Sequence, residues 1–213
     1  MKITFISDTH GLHNQITNDL LGGDMIIHAG DVSNIGTIPQ IHEFLGWFSE
    51  LPYKHKIFIA GNHDFGFEVI RNSRETGIVM PEGVTYLQDE SVIIEGIKIY
   101  GSPWQPRFYD WAFNVDRGES IARKWSLIPE DVDILVTHGP PYGILDRTDA
   151  GLNVGCEDLQ FTLRKVHPKI HVFGHIHEGY GMKDYGKTIF INACCLDARY
   201  WYNNKPVEFD YLF

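Results

Sequence analysis

Nowhere in the 213 residues is there an apolar run approaching the roughly 18 residues that cross a bilayer, so a membrane-spanning helix is not expected. Cysteine is scarce: Cys156, Cys194 and Cys195 are an odd set with two members adjacent. That excludes a disulfide framework and a C-x-x-C zinc clasp, and reads as free thiols in a reducing compartment, with a redox role for Cys194 and Cys195 as the alternative. Basic residues are also few, 18 Lys and Arg against 28 Asp and Glu, for a net charge of −10. Binding to duplex nucleic acid depends on cations that neutralise phosphates and is therefore disfavoured. Low-complexity tracts, long linkers and fixed-period repeats are missing too. The N-terminus enters a strand pattern at once, with no room for a signal peptide. A single domain over residues 1–213, resident in the cytoplasm, is the expectation.

What is present is a series of short apolar runs, each ended by Gly, Asn, Asp or His. Strands are expected at Ile3–Ile6, Met25–Ile27, Ile57–Ala60, Ile134–Val136 and Ile170–Phe173. Val84–Leu87, Val92–Glu95 and Lys98–Tyr100 read as a meander with a tight turn at Glu95-Gly96-Ile97, and Thr188–Ile191 and Val207–Leu212 as closing strands. Helical spacing covers Ile38–Ser49, Asp116–Ser126 and Cys156–Val166, with Asn114 or Asp116 able to cap the second. Strands that first alternate with helices and then follow one another suggest two packed sheets with helices outside. The predicted class is α/β (α+β), a four-layer β-sandwich flanked by helices.

The residues after five of these runs carry the chemistry. They are Asp8-Thr9-His10, Gly30-Asp31, Gly61-Asn62-His63-Asp64, Thr137-His138-Gly139 and Gly174-His175-Ile176-His177. In open α/β sheets the C-terminal strand edge is where ligands bind. Residues two apart in an extended segment share a side, so Asp8 with His10 and His175 with His177 can each face one site. Gly30, Gly61 and Gly174 are expected where the chain turns sharply off a strand. Carboxylate, imidazole and amide donors without a thiolate suit two divalent ions of the Mn, Fe, Zn or Co type. Two aspartates, two such ions and one hydroxide leave a centre of about +1, matched to an anionic phosphodiester.

This motif set, spanning residues 8 to 177, resembles the calcineurin-like metallophosphoesterase superfamily, whose fold is a β-sandwich between helical layers. The resemblance implies Asp8, His10 and His177 on one metal, Asn62, His138 and His175 on the other, Asp31 bridging, and His63 as a catalytic histidine beside them. Asp64 either orients His63 or caps a turn. Two ions roughly 3.5–4 Å apart would then acidify a shared water whose hydroxide attacks phosphorus in line.

The Asp–Arg pair that follows the bridging aspartate in the protein phosphatases of the superfamily is missing after Gly30-Asp31. Gly101-Ser102-Pro103-Trp104-Gln105-Pro106, Thr137-His138-Gly139-Pro140-Pro141 and Gly174 to Gly181 are instead similar to MPPED-type proteins, grouped with class III cyclic nucleotide phosphodiesterases. A small phosphate ester, foremost a phosphodiester such as a cyclic nucleotide, is the implied substrate. A phosphomonoesterase, a protein phosphatase and a metal-binding scaffold are the alternatives. The stretch from Trp104 to Trp111 either lines a substrate mouth, with a Trp or Phe, foremost Trp104, stacking a base and Arg107 meeting a phosphate, or fills the core. Asn192 either reaches the site or begins a turn. Asp146, Arg147 and Asp149 read as a solvated loop, and His13, His28, His42, His55, His167 and His171 as structural or solvated.

Overall fold

Residues 1–70 and 78–212 are described in the computed structural model. The first half runs β1 (Lys2–Ile6), β2 (Gly23–His28), α1 (Ile38–Glu50), β3 (Tyr53–Phe58), α2 (Phe65–Ile70) and β4 (Val84–Tyr86). β5 (Glu90–Ile94), β6 (Ile97–Ser102), β7 (Gln105–Pro106), β8 (Asn114–Val115) and α3 (Glu119–Trp125) follow. The chain continues through β9 (Ile134–Thr137), α4 (Glu157–Val166), β10 (Ile170–Phe173), β11 (Gly181–Asp184), β12 (Ile189–Asn192) and β13 (Val207–Asp210).

One sheet has the order β13-β1-β2-β3-β4 and the other β11-β12-β10-β9-β6-β5. β1 to β4 are mutually parallel, as are β6, β9, β10 and β12. Strands buried on both faces need apolar residues at every position, and they read as continuous runs for that reason. Alternation then sorts the side chains into layers. Ile3, Phe5, Met25, Ile27, Ile57, Ile99, Ile134, Val136 and Val172 meet between the two sheets. Ile6, Ile26 and Phe58 face the other way onto Ile41, Phe44, Leu45 and Phe48 of α1. Tyr100, Leu135 and Phe173 face outward from the second sheet onto α3 and α4. Helix, sheet, sheet, helix is the resulting layer order.

α1 begins on a capping box: Thr37 accepts from the Gln40 backbone N–H, and the Gln40 side chain accepts from that of Thr37. Its Phe44 is fully buried, 5.0 Å from the Phe48 ring and 5.2 Å from that of Phe58. Phe44→Ala is expected to cost about 3–5 kcal/mol, the range for an emptied aromatic core site. Urea unfolding in the presence of chelator measures it, and a loss below about 1 kcal/mol would contradict this packing.

Several expected elements depart from the sequence pattern, and α2, β7, β8 and β11 have no counterpart in it. The meander is not one: β4 lies in the first sheet beside β3, and only β5 and β6 form a hairpin, in the second. The crossing occurs at residues 87–89, where Leu87 N–H donates to Phe58 O and Asp89 N–H to Gly101 O. α3 is shorter than expected, and neither Asn114 nor Asp116 caps it. Gly118 is its N-cap, while the Asn114 amide holds the Phe108–Tyr109 backbone and Asp116 pairs with Arg107. Cys156 stands just outside α4 as its cap, accepting from Leu159 N–H through Sγ. Among the described residues no helix is long and apolar enough to cross a membrane.

Candidate metal centre

The C-terminal edges of β1, β2, β3, β9 and β10 converge where the two sheets meet. The seam is hydrogen-bonded across: Cys195 N–H donates to Ser7 O, His138 Nδ1 pairs with Ala29 O, and His175 N–H donates to the Asp8 carboxylate. Asp8, His10, Asp31 and His175 all adopt positive φ, between 45° and 69°. Non-glycine residues rarely do so, and such strain collects at functional sites. The backbone at Asp8 and His10 is therefore not extended. These side chains converge because loop hydrogen bonds run from Asp8 N–H to Gly30 O and from His10 N–H to Asp31 O. Two-residue alternation is not the cause. His175 and His177 likewise face neighbouring groups of donors, His175 with Asp31 and His138, His177 with Asp8 and the Cys194 thiol, so the donor set is not free of sulfur as the sequence pattern suggests.

Asp31 sits at the centre. Its Oδ2 lies 3.4 Å from His138 Nε2, 3.7 Å from His10 Nε2 and 4.0 Å from His63 Nε2, while Oδ1 accepts from the His63 backbone N–H. On one side His138 Nε2 is 2.9 Å from Asn62 Oδ1. On the other, His177 Nε2 is 3.3 Å from His10 Nε2 and 3.4 Å from Asp8 Oδ1. Several imidazoles are fixed from behind. His138 Nδ1 meets Ala29 O, His177 Nδ1 meets Asp197 O at 2.9 Å and His63 Nδ1 meets Asn34 O at 2.6 Å. A carbonyl accepts from the protonated Nδ1, so each Nε2 is left facing inward, the arrangement typical of metal-ligating histidines.

Charge tells the same story. Burial favours neutral acids, yet the surrounding imidazoles hold Asp8 and Asp31 below the ordinary carboxylate range. Burial opposes charge on His138 and His177, but Asp31 and Asp8 outweigh it and hold both imidazoles up to about 9. At His10 and His175 burial prevails and pushes them down to about 4. Two buried carboxylates thus draw positive charge into the pocket, a demand that divalent cations also answer. With inward nitrogens, carboxylate oxygens and an amide oxygen converging, the residues present fit such ions.

Two glycines matter here for space rather than for turning, because their φ lies outside the left-handed region. A Cβ on Gly61 would fall 2.2 Å from Asp31 Oδ1, and one on Gly174 would fall 1.9 Å from Asp8 Oδ2. Gly30, at φ 102°, alone of the three takes the turn expected of it.

The remaining sequence candidates divide. Asp64 is fully buried and accepts from Val32 N–H, Ser33 N–H, Gly61 N–H and the Ser33 hydroxyl. It ties the loops after β2 and β3 together and caps the turn instead of orienting His63. Burial, then the charge of Asp31, pushes its carboxyl up to about 6. Trp104 is not in the cavity; its Nε1 donates to Asp89 and Lys124 lies 3.7 Å from its ring centroid. Its neighbours Phe108 and Trp111 do line the cavity, Trp111 stacked on His63 at 4.2 Å. Arg107 pairs with Asp116 and borders an adjacent cavity. Asn192 is buried and donates to Leu145 O and Ile176 O, so it supports the His175–His177 segment from below. Asp146 is buried, not solvated, accepting from Gly143 N–H and Gly155 N–H, whereas Arg147 and Asp149 are exposed.

Two participants were not anticipated. Tyr200 lines the cavity, its ring 4.8 Å from His10 and 5.1 Å from His177. The Cys194 thiol is buried 3.2 Å from Asp8 Oδ2, and burial pushes it well above the ordinary thiol range. An aromatic cluster near a C-terminus and one of two adjacent cysteines carry no pattern that assigns them to this site in advance.

A family model, calcineurin-like phosphoesterase, matches residues 1–179. The human and mouse proteins called metallophosphoesterase domain-containing protein 1 are each 42% identical to the chain over 231 residues, covering 98% of it and 70% of their own length. UPF0046 protein C25E10.12 of Caenorhabditis elegans is 37% identical over 99% of the chain and 80% of its own length. In fold, the crystal structure of TT1561 from Thermus thermophilus is similar with a TM-score of 0.61, at 15% identity over 98% of each chain. The converging carboxylates and imidazoles and these likenesses lead to one conclusion: the chain belongs to the calcineurin-like phosphoesterase family, the hydrolases of phosphoric esters.

Proposed function

We propose that the chain is a phosphodiesterase with a two-metal centre acting on small phosphodiesters. The observation that carries this reading is the place of Asp31 Oδ2, between His10 Nε2 at 3.7 Å and His138 Nε2 at 3.4 Å. A carboxylate shared by two sets of donors is what a bridging ligand requires. Asp8, His10 and His177 would hold one ion, and Asn62, His138 and His175 the other. Such ions supply acidification of a water and neutralisation of the phosphoryl oxygens.

The protein's own groups supply the rest. His63, anchored at Nδ1 by the Asn34 carbonyl, keeps Nε2 over the cavity floor, where it donates a proton to the leaving oxygen. Trp111 fixes the plane of that ring by stacking. The cavity, about 280 Å³, accepts a phosphoryl group with a small substituent and suits a low-molecular-weight ester.

Turnover of bis-p-nitrophenyl phosphate with Mn²⁺ tests the reading. Activity is expected to disappear on chelation, to return when the ion is restored, and to exceed that on p-nitrophenyl phosphate. A protein that takes up Mn, Fe, Co, Zn or Ni and turns over neither ester would be a binding scaffold instead.

A further inference from the structure

Beside the cavity over Asp31 lies a second one of about 320 Å³, and Phe108 and His175 line both. The Phe108 ring stands at 85° to that of His175, with centroids 6.3 Å apart, so these side chains form the partition. Beyond it the chemistry changes. Pro106, Pro140, Val154 and Ile176 supply apolar walls, and Thr148 a hydroxyl. Arg107 and Arg117 border the pocket, but each is already engaged. Arg117 donates to the carbonyls of Val154 and Gly155 and pairs with Glu157, and Arg107 pairs with Asp116. The volume is at the small end of ligand pockets, which run roughly 300–1,000 Å³.

A pocket walled by the Phe108 ring, two prolines, Val154 and Ile176 does little for a phosphate and suits an uncharged group that presents apolar faces, such as an aromatic ring. A phosphodiester has two ester groups, one leaving with its oxygen and one staying on phosphorus. His63, the proton donor to the leaving oxygen, borders the first cavity and not the second. The leaving group therefore departs on the His63 and Trp111 side, and the other group points across the partition.

We infer that the Phe108–Val154–Ile176 pocket receives the ester group that remains on phosphorus, and that it selects diesters in which this group is a planar aryl or nucleobase-sized unit. The inference rests on the phosphodiesterase reading and adds the specificity determinants to it.

Phenyl p-nitrophenyl phosphate and methyl p-nitrophenyl phosphate share one leaving group and differ only in the group assigned to the pocket. Hydrophobic pockets discriminate about 10–200-fold per methylene-sized feature, so kcat/KM is expected to favour the phenyl diester at least ~10-fold. Val154→Trp, which fills the pocket, is expected to lower that ratio at least ~5-fold, and Phe108→Ala to lower it as well. Because both diesters are assayed on one preparation, partial unfolding or metal loss cancels from the ratio. The smaller Val154→Phe is read in the same way where Val154→Trp does not fold. A wild-type ratio near one, or a ratio unmoved by filling the pocket, overturns the assignment while leaving the phosphodiesterase reading intact. Absence of turnover on both diesters overturns the two together.

Discussion

His63→Ala is expected to lower kcat on a diester with an alkyl leaving group by ~10²–10⁴-fold, the usual worth of a positioned general acid. Metal content is expected to stay at the wild-type level. The separation follows from geometry: His63 Nε2 is 4.0 Å from Asp31 Oδ2, farther than His138 or His10, while the link that fixes Asp31 comes from the His63 backbone N–H. An alanine keeps that N–H. Protonation matters most when the departing oxygen is basic, so the deficit should shrink sharply with p-nitrophenolate as leaving group. Steady-state rates on the two leaving groups, with metal analysis of the same samples, decide the matter. A uniform deficit that tracks lost metal would make His63 a ligand, as its grouping with His10 and Asp31 permits. Unchanged turnover would remove it from the chemistry.

The centre was largely legible in the sequence because its side chains follow strands that announce themselves. Parallel strands covered on both faces must be apolar throughout, and the polar break after each, at Asp8, Asp31, Asn62, His138 and His175, falls at the edge shared by both sheets. What stayed hidden depends on backbone groups and on long-range packing. The carbonyls of Ala29, Asn34 and Asp197 that orient three imidazoles have no residue-type signature. Trp104 and Trp111 look equivalent in sequence, yet one is held by Asp89 and the other stacks on His63. Only the fold separates them. β4 escaped assignment to its sheet because three residues carry no information about which neighbour they pair with.

Gly174→Ala is expected to weaken metal binding by at least ~10–100-fold, the range seen when groups supporting a ligand are disturbed, and to carry activity down with it. The added methyl would stand 1.9 Å from Asp8 Oδ2 and 2.2 Å from Ser7 Oγ. Neither can yield cheaply. Asp8 Oδ2 is held by the Ser7 hydroxyl at 2.5 Å, the His175 N–H at 2.9 Å and the Cys194 thiol at 3.2 Å, and Ser7, Asp8 and Cys194 are fully buried. Displacing the carboxylate breaks these bonds, each worth about 1–3 kcal/mol when a buried partner is left unmet. It also moves Oδ1 away from His177, 3.4 Å distant. Gly46 supplies the reference: it lies in α1 with nothing within 4 Å of an added Cβ, so Gly46→Ala is expected to stabilise the helix by roughly 0.5–1 kcal/mol. Calorimetric titration with Mn²⁺, beside thermal unfolding of both variants, separates the two effects. Wild-type affinity in Gly174→Ala would show that Asp8 is free to move, and the tight seam between the sheets would then have no part in holding the centre.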